Sequence, residues 1–306
     1  VKAWVGGINH KYFKYDHAKQ GKRQVGSTFK PILYATAIDQ LKYSPCDTIS
    51  DSYYCIAEGR YGILEDWCPK NANGKYSGMI SLKSALAKSI NTISAKLIDR
   101  VGPKNVIQMA HNLGIKNDIP EMPSIALGTP ELSLYEMVNS YSTLANMGQY
   151  IKPTIIERIE DKNGTILYQN VPETKDVLSE QSSYVTLKVM EGVTRYGSGA
   201  RLRSRQNTWD PAYTKGIITG HPYKFTNDIA GKTGTTQNNS DGWFMGVVPN
   251  LVTGVWVGAE DRAVHFNNIK YGQGATMALP IWAQYMKNCY TEKDLNISQE
   301  PFKEPE

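Results

Sequence analysis

Strand-like and helix-like periodicities are segregated along this chain, and their order restricts the fold more than any other feature. Alternating apolar patterns fill the last third, in "GWFMGVVPN" and "LVTGVWVGAE". Residues 1–18 read as the remainder of a strand hairpin. Between these ends stands a run of helices. Residues 29–41 turn Ile32, Leu33, Ala37, Ile38 and Leu41 toward a core, with Pro31 tolerable in the first turn. Segments starting at Ser81 and Asn91 follow, then helices closing at Gly114 and Gly148, the last opened by Ser133 and Glu136 at capping-box spacing. "TIIERIEDKNGTILYQN" reads as a strand pair across an Asn-Gly turn, "SEQSSYVTLKVMEGVTRYG" and "ATMALPIWAQYMKNCY" as further helices, and residues 43–80 as loop. The expected fold is α/β of the α+β type: an antiparallel sheet of about five strands covered by helices, with an inserted all-helical lobe. The sheet body takes residues 1–42 and 150–290, the lobe 43–149, and a site belongs where the two meet.

A length of 306 residues suffices for a sizeable core. The net charge of +5 is scattered, which argues against a nucleic-acid partner; only "RLRSR" at 201–205 is dense, and it reads as solvated surface or groove rim. No apolar run approaches the roughly 18 residues of a membrane span, and no signal peptide opens the chain. The first residues already read as mid-strand, so the sequence is expected to be part of a larger protein. Cys46, Cys55, Cys68 and Cys289 match no metal-binding spacing; a disulfide between two of the first three would imply an oxidising compartment.

Three short stretches carry chemistry. "KRQVGSTFKP" puts Ser27 three residues before Lys30, one face of a helix start, where unpaired N–H groups point outward. "KSINT" sets Ser89 and Asn91 in a break between helices, and "AGKTGTTQ" sets Lys232, Thr233, Gly234 and Thr235 at the head of an extended segment. Together they supply what acyl transfer by a serine needs. Ser27 attacks a carbonyl, a neutral Lys30 takes its proton, Ser89 relays it, and Asn91 holds a substrate amide. Lys232 adds charge near the relay, Gly234 lets the strand approach the substrate backbone, and the N–H groups of Ser27 and Thr235 catch the oxyanion. Singly each stretch is weak: Ser27 alone is also a cap, and Ser89 and Asn91 alone are polar residues that break and cap a helix, a role Asn91 can combine with function. A phosphate-loop reading of "GKT" fails because Thr226 stands where glycine is required, and no G-x-S-x-G elbow surrounds Ser27.

The joint order S-x-x-K, S-x-N, K-T-G resembles the set of penicillin-binding proteins and serine beta-lactamases. Extended by "PKNANGKYSGMISLKSALAKSINT" and "AGKTGTTQNNSDGWFMGVVPNLVTGVWVG", the chain is most similar to the transpeptidase domain of the bifunctional class that joins a glycosyltransferase to a transpeptidase, over residues 3–290. The resemblance implies a D,D-transpeptidase acting outside the cytoplasmic membrane. The serine attacks the D-Ala-D-Ala stem peptide of peptidoglycan, releases D-Ala and passes the acyl group to an amine of a neighbouring stem; beta-lactams acylate the same serine. It implies no metal or organic cofactor, places the hydroxyls of Thr233 and Thr235 near the substrate carboxylate, and puts Ser198 of "YGSGARLR" in the hydroxyl position that precedes the third motif. The partners it implies are stem peptides, beta-lactams and a glycosyltransferase domain which, like the membrane anchor, lies outside this sequence.

The stretch from 205 to 228 is longer than the family pattern leads one to expect; its Trp209, Tyr213, Tyr223 and Phe225 either line a groove or pack a long loop. The five histidines form no motif and read as surface or packing residues. Two rivals keep the chemistry or the fold: a D-Ala-D-Ala carboxypeptidase or beta-lactamase, and a penicillin-binding sensor without turnover. Rapid hydrolysis needs a base near the ester, and neither Glu131 nor Glu136 suits, the latter being used as a cap. A sensor has no need of Lys30, Ser89 and Lys232 together.

Overall fold

The computed structural model describes residues 1–9, 11–204 and 220–306. In chain order, β1 (Lys22–Gln24) leads through a 3-10 turn (Gly26–Phe29) into α1 (Lys30–Leu41). β2 (Thr48–Asp51), β3 (Gly78–Ser81), α2 (Leu82–Ala87), α3 (Asn91–Val101), α4 (Pro103–Asn112), β4 (Glu131–Ser133) and α5 (Leu134–Ala145) follow. Next come β5 (Gln149–Ile151), β6 (Arg158–Glu160), β7 (Ile166–Gln169), β8 (Thr174–Asp176) and α6 (Glu180–Arg195). The chain closes with β9 (Ala230–Thr235), β10 (Asp241–Val248), β11 (Leu251–Gly258) and α7 (Gly274–Thr291).

The central sheet is antiparallel in the order β11-β10-β9, and all eight residues of β10 are buried. Alternation along β10 divides the core: Trp243, Met245 and Val247 face a cluster with α1, α3, α5 and α6, while Phe244 and Val248 face Leu279 and Trp282 of α7. Gly246 is required by this packing, since a Cβ there would lie 2.3 Å from the Trp282 ring. Between the sheet and the lobe runs α1, where Ile32, Leu33, Tyr34, Ala35 and Ala37 are all inaccessible. It is enclosed by α3, α4 and α6 rather than amphipathic.

The class and the helix series agree with the sequence reading, including the reciprocal capping box of Ser133 and Glu136 and the β6–β7 pair. Three details differ. The central sheet has three strands among the described residues, not about five. Residues 1–9 and 11–18 form no strand: Val5 and Ile8 are exposed, so the local alternation has no face to bury. The lobe is not all-helical either, because the loop 43–80 is bracketed by β2 and β3, whose Ile49 and Ile80 pair and are buried. Strands of four residues set far apart in sequence give no local periodicity to read. Among the described residues, no helix is long and apolar enough to cross a membrane.

Candidate active site

Ser27 lies in the tight turn that feeds α1, and the turn is held from both sides. Gly26 N–H donates to Gly128 O at 2.9 Å, Val25 N–H to Pro130 O at 3.1 Å, and the Tyr141 hydroxyl to Thr28 O at 2.7 Å. Gly26 has φ +53°, and a Cβ on it would stand 2.8 Å from Thr235 O; one on Gly128 would stand 1.7 Å from Gly26 O. Two glycines are therefore needed for three backbones to meet beside Ser27. Lys30 opens α1 one turn later and is fully buried.

Its Nζ reaches across to the break between α2 and α3, donating to Ser89 O at 2.8 Å, Ser89 Oγ at 3.2 Å and Asn91 Oδ1 at 2.7 Å. Ser89 sits at φ +56°, uncommon for a residue with a Cβ, in the short connection that turns α2 into α3. Asn91 donates its Nδ2 to Lys70 O at 2.8 Å. From the other side, Lys232 Nζ donates to the same Ser89 Oγ at 3.0 Å and to Thr233 O at 3.0 Å.

The third stretch is the edge strand of the sheet, since among the described residues β9 pairs with β10 alone. Thr236 N–H donates inward to Asp241 O, so the N–H of Thr235 points outward, toward the Ser27 turn. Gly234 is obligatory in that close approach: a Cβ would lie 2.8 Å from Val25 O. Thr235 Oγ1 accepts from Gly274 N–H at 3.1 Å, which leaves its own proton for a ligand. Ser198 and Thr233 share a hydrogen bond of 2.6 Å, and Ser198 N–H donates to Ala87 O at 3.0 Å, so the end of α2, the segment after α6 and β9 are tied together.

The electrostatics follow from burial. Desolvation, and after it the charge of Lys232, hold the Lys30 amine well below the ordinary lysine value; desolvation brings Lys232 down to about 7. Two ammonium groups on one hydroxyl in a dry cleft repel each other, and Lys30 carries that repulsion in addition to its burial, which favours it as the neutral amine of the two.

Ser27, Lys30, Ser89, Asn91, Ser198, Lys232, Thr233, Gly234 and Thr235 are thus gathered at one junction of sheet and lobe. Two sequence expectations, for Asn91 and Arg203, change, and one open alternative, for Tyr223 and Phe225, is settled. Asn91 does not cap α3; the N–H groups of Asn91 and Thr92 are taken by Asn71 Oδ1 at 2.9 and 3.2 Å. Tyr223 and Phe225 are buried in the core with Trp282 and Leu279, so they pack rather than line a groove; Trp209, Tyr213, Arg205 and His10 lie outside the described residues. Arg203 donates to Phe225 O and Asn227 O and is a structural tie, not solvated surface. His17 and His111 bond the backbone carbonyls of Gly6 and Ile115, and Glu131 pairs with Arg262. The sequence reading missed Asn71 and the buried Asp51 to which it donates. A cap supplied from twenty residues away leaves no local signature.

Comparison with known proteins bears on the family and the fold. The family described as penicillin binding protein transpeptidase domain matches residues 9–261. Penicillin-binding protein 1A of Aquifex aeolicus is 35% identical over 305 residues, covering 98% of this chain and 38% of that protein. The Neisseria meningitidis protein of the same name is 31% identical over 293 residues, covering 94% of this chain and 34% of its own. The chain spans little more than a third of these relatives. A crystal structure of penicillin-binding protein 1A from Haemophilus influenzae superposes with a TM-score of 0.77 at 26% identity, over 99% of this chain and 46% of that one. PonA1 of Mycobacterium tuberculosis, solved in complex with penicillin V, shares the fold at a TM-score of 0.74 and 23% identity, over 98% of this chain and 76% of that one. By the family match over most of its length, the chain belongs to the penicillin-binding protein transpeptidase family.

Proposed function

We propose that this domain is a peptidoglycan D,D-transpeptidase acylated at Ser27. The observation that carries the reading is the Ser89 hydroxyl held by both Lys30 and Lys232 beside the Ser27 turn. A neutral Lys30 accepts the Ser27 proton as the hydroxyl attacks the penultimate D-Ala carbonyl. Ser89 carries the proton on to the leaving D-Ala nitrogen, and the carbonyl oxygen becomes an oxyanion between the N–H groups of Ser27 and Thr235. Lys232 keeps Ser89 oriented and, when charged, attracts the terminal carboxylate, which the hydroxyls of Thr233 and Thr235 fix, with Ser198 behind Thr233. Asn91 has one amide N–H on Lys70 O and offers the other to the stem-peptide amide. An amine of a neighbouring stem then takes the acyl group by the reverse steps.

By the same reading the protein works on the outer face of the cytoplasmic membrane, alongside a glycosyltransferase domain, and is inhibited by beta-lactams. The test is incubation with a labelled penicillin, digestion and mass location of the adduct, followed by offering a stem peptide with an acceptor amine. An adduct on Ser27 and a cross-linked product are expected. A label elsewhere overturns the nucleophile; an adduct lost within seconds assigns the chain to the hydrolysing rival.

A further inference from the structure

The loop between β2 and β3 enters the site at two consecutive residues. Lys70 O accepts the Asn91 side-chain N–H at 2.8 Å, and Asn71, 5% exposed, engages the Asn91 backbone. The whole amide of Asn71 is occupied: Oδ1 accepts from the N–H groups of Asn91 and Thr92, while Nδ2 donates to Asp51 Oδ1 at 2.8 Å and Lys75 O at 2.9 Å. Its orientation is forced, because a flipped amide would set N–H against N–H and oxygen against oxygen. Asp51 is itself fixed by Thr92 Oγ1 and Ser77 N–H. The first turn of α3 has Ile90 at its cap position, so its orphan donors depend on this distant oxygen.

We infer that Asn71 is a positioning residue for acylation: seated on Asp51, it sets the start of α3 and so the carboxamide of Asn91 that receives Lys30. The inference rests on the role given to Asn91 above. Without Asn71, the first turn of α3 loses its anchor, Asn91 Oδ1 shifts from Lys30 Nζ, now 2.7 Å away, and the amine is no longer presented to Ser27. Displacements near 1 Å in such a constellation cost about 100-fold in rate.

A double-mutant cycle tests this. The limiting acylation rate by a fluorescent penicillin is measured well below the unfolding temperature for the wild type, Asn71→Ala, Asn91→Ala and the double variant. Asn71→Ala is expected to be slower by about 10-fold to 100-fold, and the double variant no slower than Asn91→Ala within about twofold, because Asn71 acts through Asn91. A general loss of stability multiplies the two effects instead, and multiplied effects overturn the inference while leaving Asn91 in place. A wild-type rate for Asn91→Ala strikes the role of Asn91 itself and this inference with it. Should Asn71→Ala not fold, a charge exchange decides. Asn71→Asp sets a carboxylate against Asp51, and adding Asp51→Asn restores a donor to face it, still with a negative group at the helix start. Recovery of at least about tenfold over Asn71→Asp supports the inference; no recovery overturns it.

Discussion

Lys30 and Lys232 converge on one hydroxyl, 3.2 and 3.0 Å from Ser89 Oγ, and neither side chain is exposed to solvent. The arrangement opposes stability. Each amine has lost its hydration, and no carboxylate is hydrogen-bonded to either among the described residues; the acceptors are carbonyls, a carboxamide and the shared hydroxyl. The proposed proton transfer needs this tension, since an amine paired with a carboxylate would hold its proton.

The first prediction follows from the sign of that tension. Lys232 titrates near 7 in the folded protein against 10.5 for an ordinary lysine. Between those values the unfolded chain binds a proton that the folded chain does not, so stability rises with pH across the window. The penalty is full below about 7 and is relieved above 10.5. Lys232→Met removes it. The variant is expected to be more stable than wild type by about 1–3 kcal/mol at pH 7, with the gap closing toward pH 10 and acylation falling by about 100-fold or more. Urea unfolding at the two pH values reads it; a gap that widens with pH contradicts the account.

Thr235→Val probes the carboxylate. Valine keeps the shape and the backbone N–H of β9 but removes the hydroxyl that accepts from Gly274. One charge-assisted hydrogen bond is worth about 1.5–3 kcal/mol, so acylation by a penicillin should slow by about 10-fold to 100-fold while its methyl ester, already lacking the charge, slows little. Equal slowing of both compounds would mean that the hydroxyl does not read the carboxylate.

Much of this site was legible because its parts are short and local. Ser27 and Lys30 share a helix start, Ser89 and Asn91 a helix break, and Lys232 to Thr235 a strand, so spacing alone conveys their relations. What escaped was non-local. Lys30 looks half-exposed in the sequence because it opens a helix, and it is buried only because α1 is enclosed on every side. Asn71 looks like one polar residue of a glycine-rich loop, and β2 and β3 are too short and too far apart to announce their pairing. The three-stranded count was obscured for the opposite reason: residues 1–9 and 11–18 have a strand-like local pattern but pair with no strand among the described residues.

Gly26→Ala tests how closely the Ser27 turn and β9 must approach. The substitution adds a Cβ 2.8 Å from Thr235 O at a residue with φ +53°. Backbone strain of about 1–2 kcal/mol is expected from the left-handed conformation, and Thr235 must move away from Ser27. The two N–H groups then no longer converge, so the acylation rate should fall by about 100-fold while the penicillin adduct, once formed, stays on Ser27. Measuring urea midpoint and acylation rate together distinguishes this from simple unfolding; an unchanged rate would remove Thr235 from the oxyanion site.

The last prediction concerns the ring that delivers Lys70 and Asn71. Cys55 and Cys68 are bonded, closing a loop with a sequence separation of 13, and a reciprocal pair of backbone hydrogen bonds between Ile56 and Trp67 lies inside it. A loop of that size stabilises by about 3 kcal/mol through the unfolded chain. The ring is also held by Arg60 to Asp99 and by Tyr61 to Asp99 O, so its native path survives without the bond. The Cys55→Ser/Cys68→Ser variant should therefore lose about 2–3 kcal/mol in urea unfolding yet keep acylation within about threefold of wild type, less than the loss expected from Asn71→Ala. Thiol counting checks the premise independently. Cys46 is exposed and Cys289 buried, so a folded, unreduced sample should show one reactive thiol and an unfolded, reduced one four. Two additional thiols in the folded, unreduced protein would show that the bond is not formed, and an acylation rate as low as that of Asn71→Ala would show that the ring, rather than the amide, fixes Asn91.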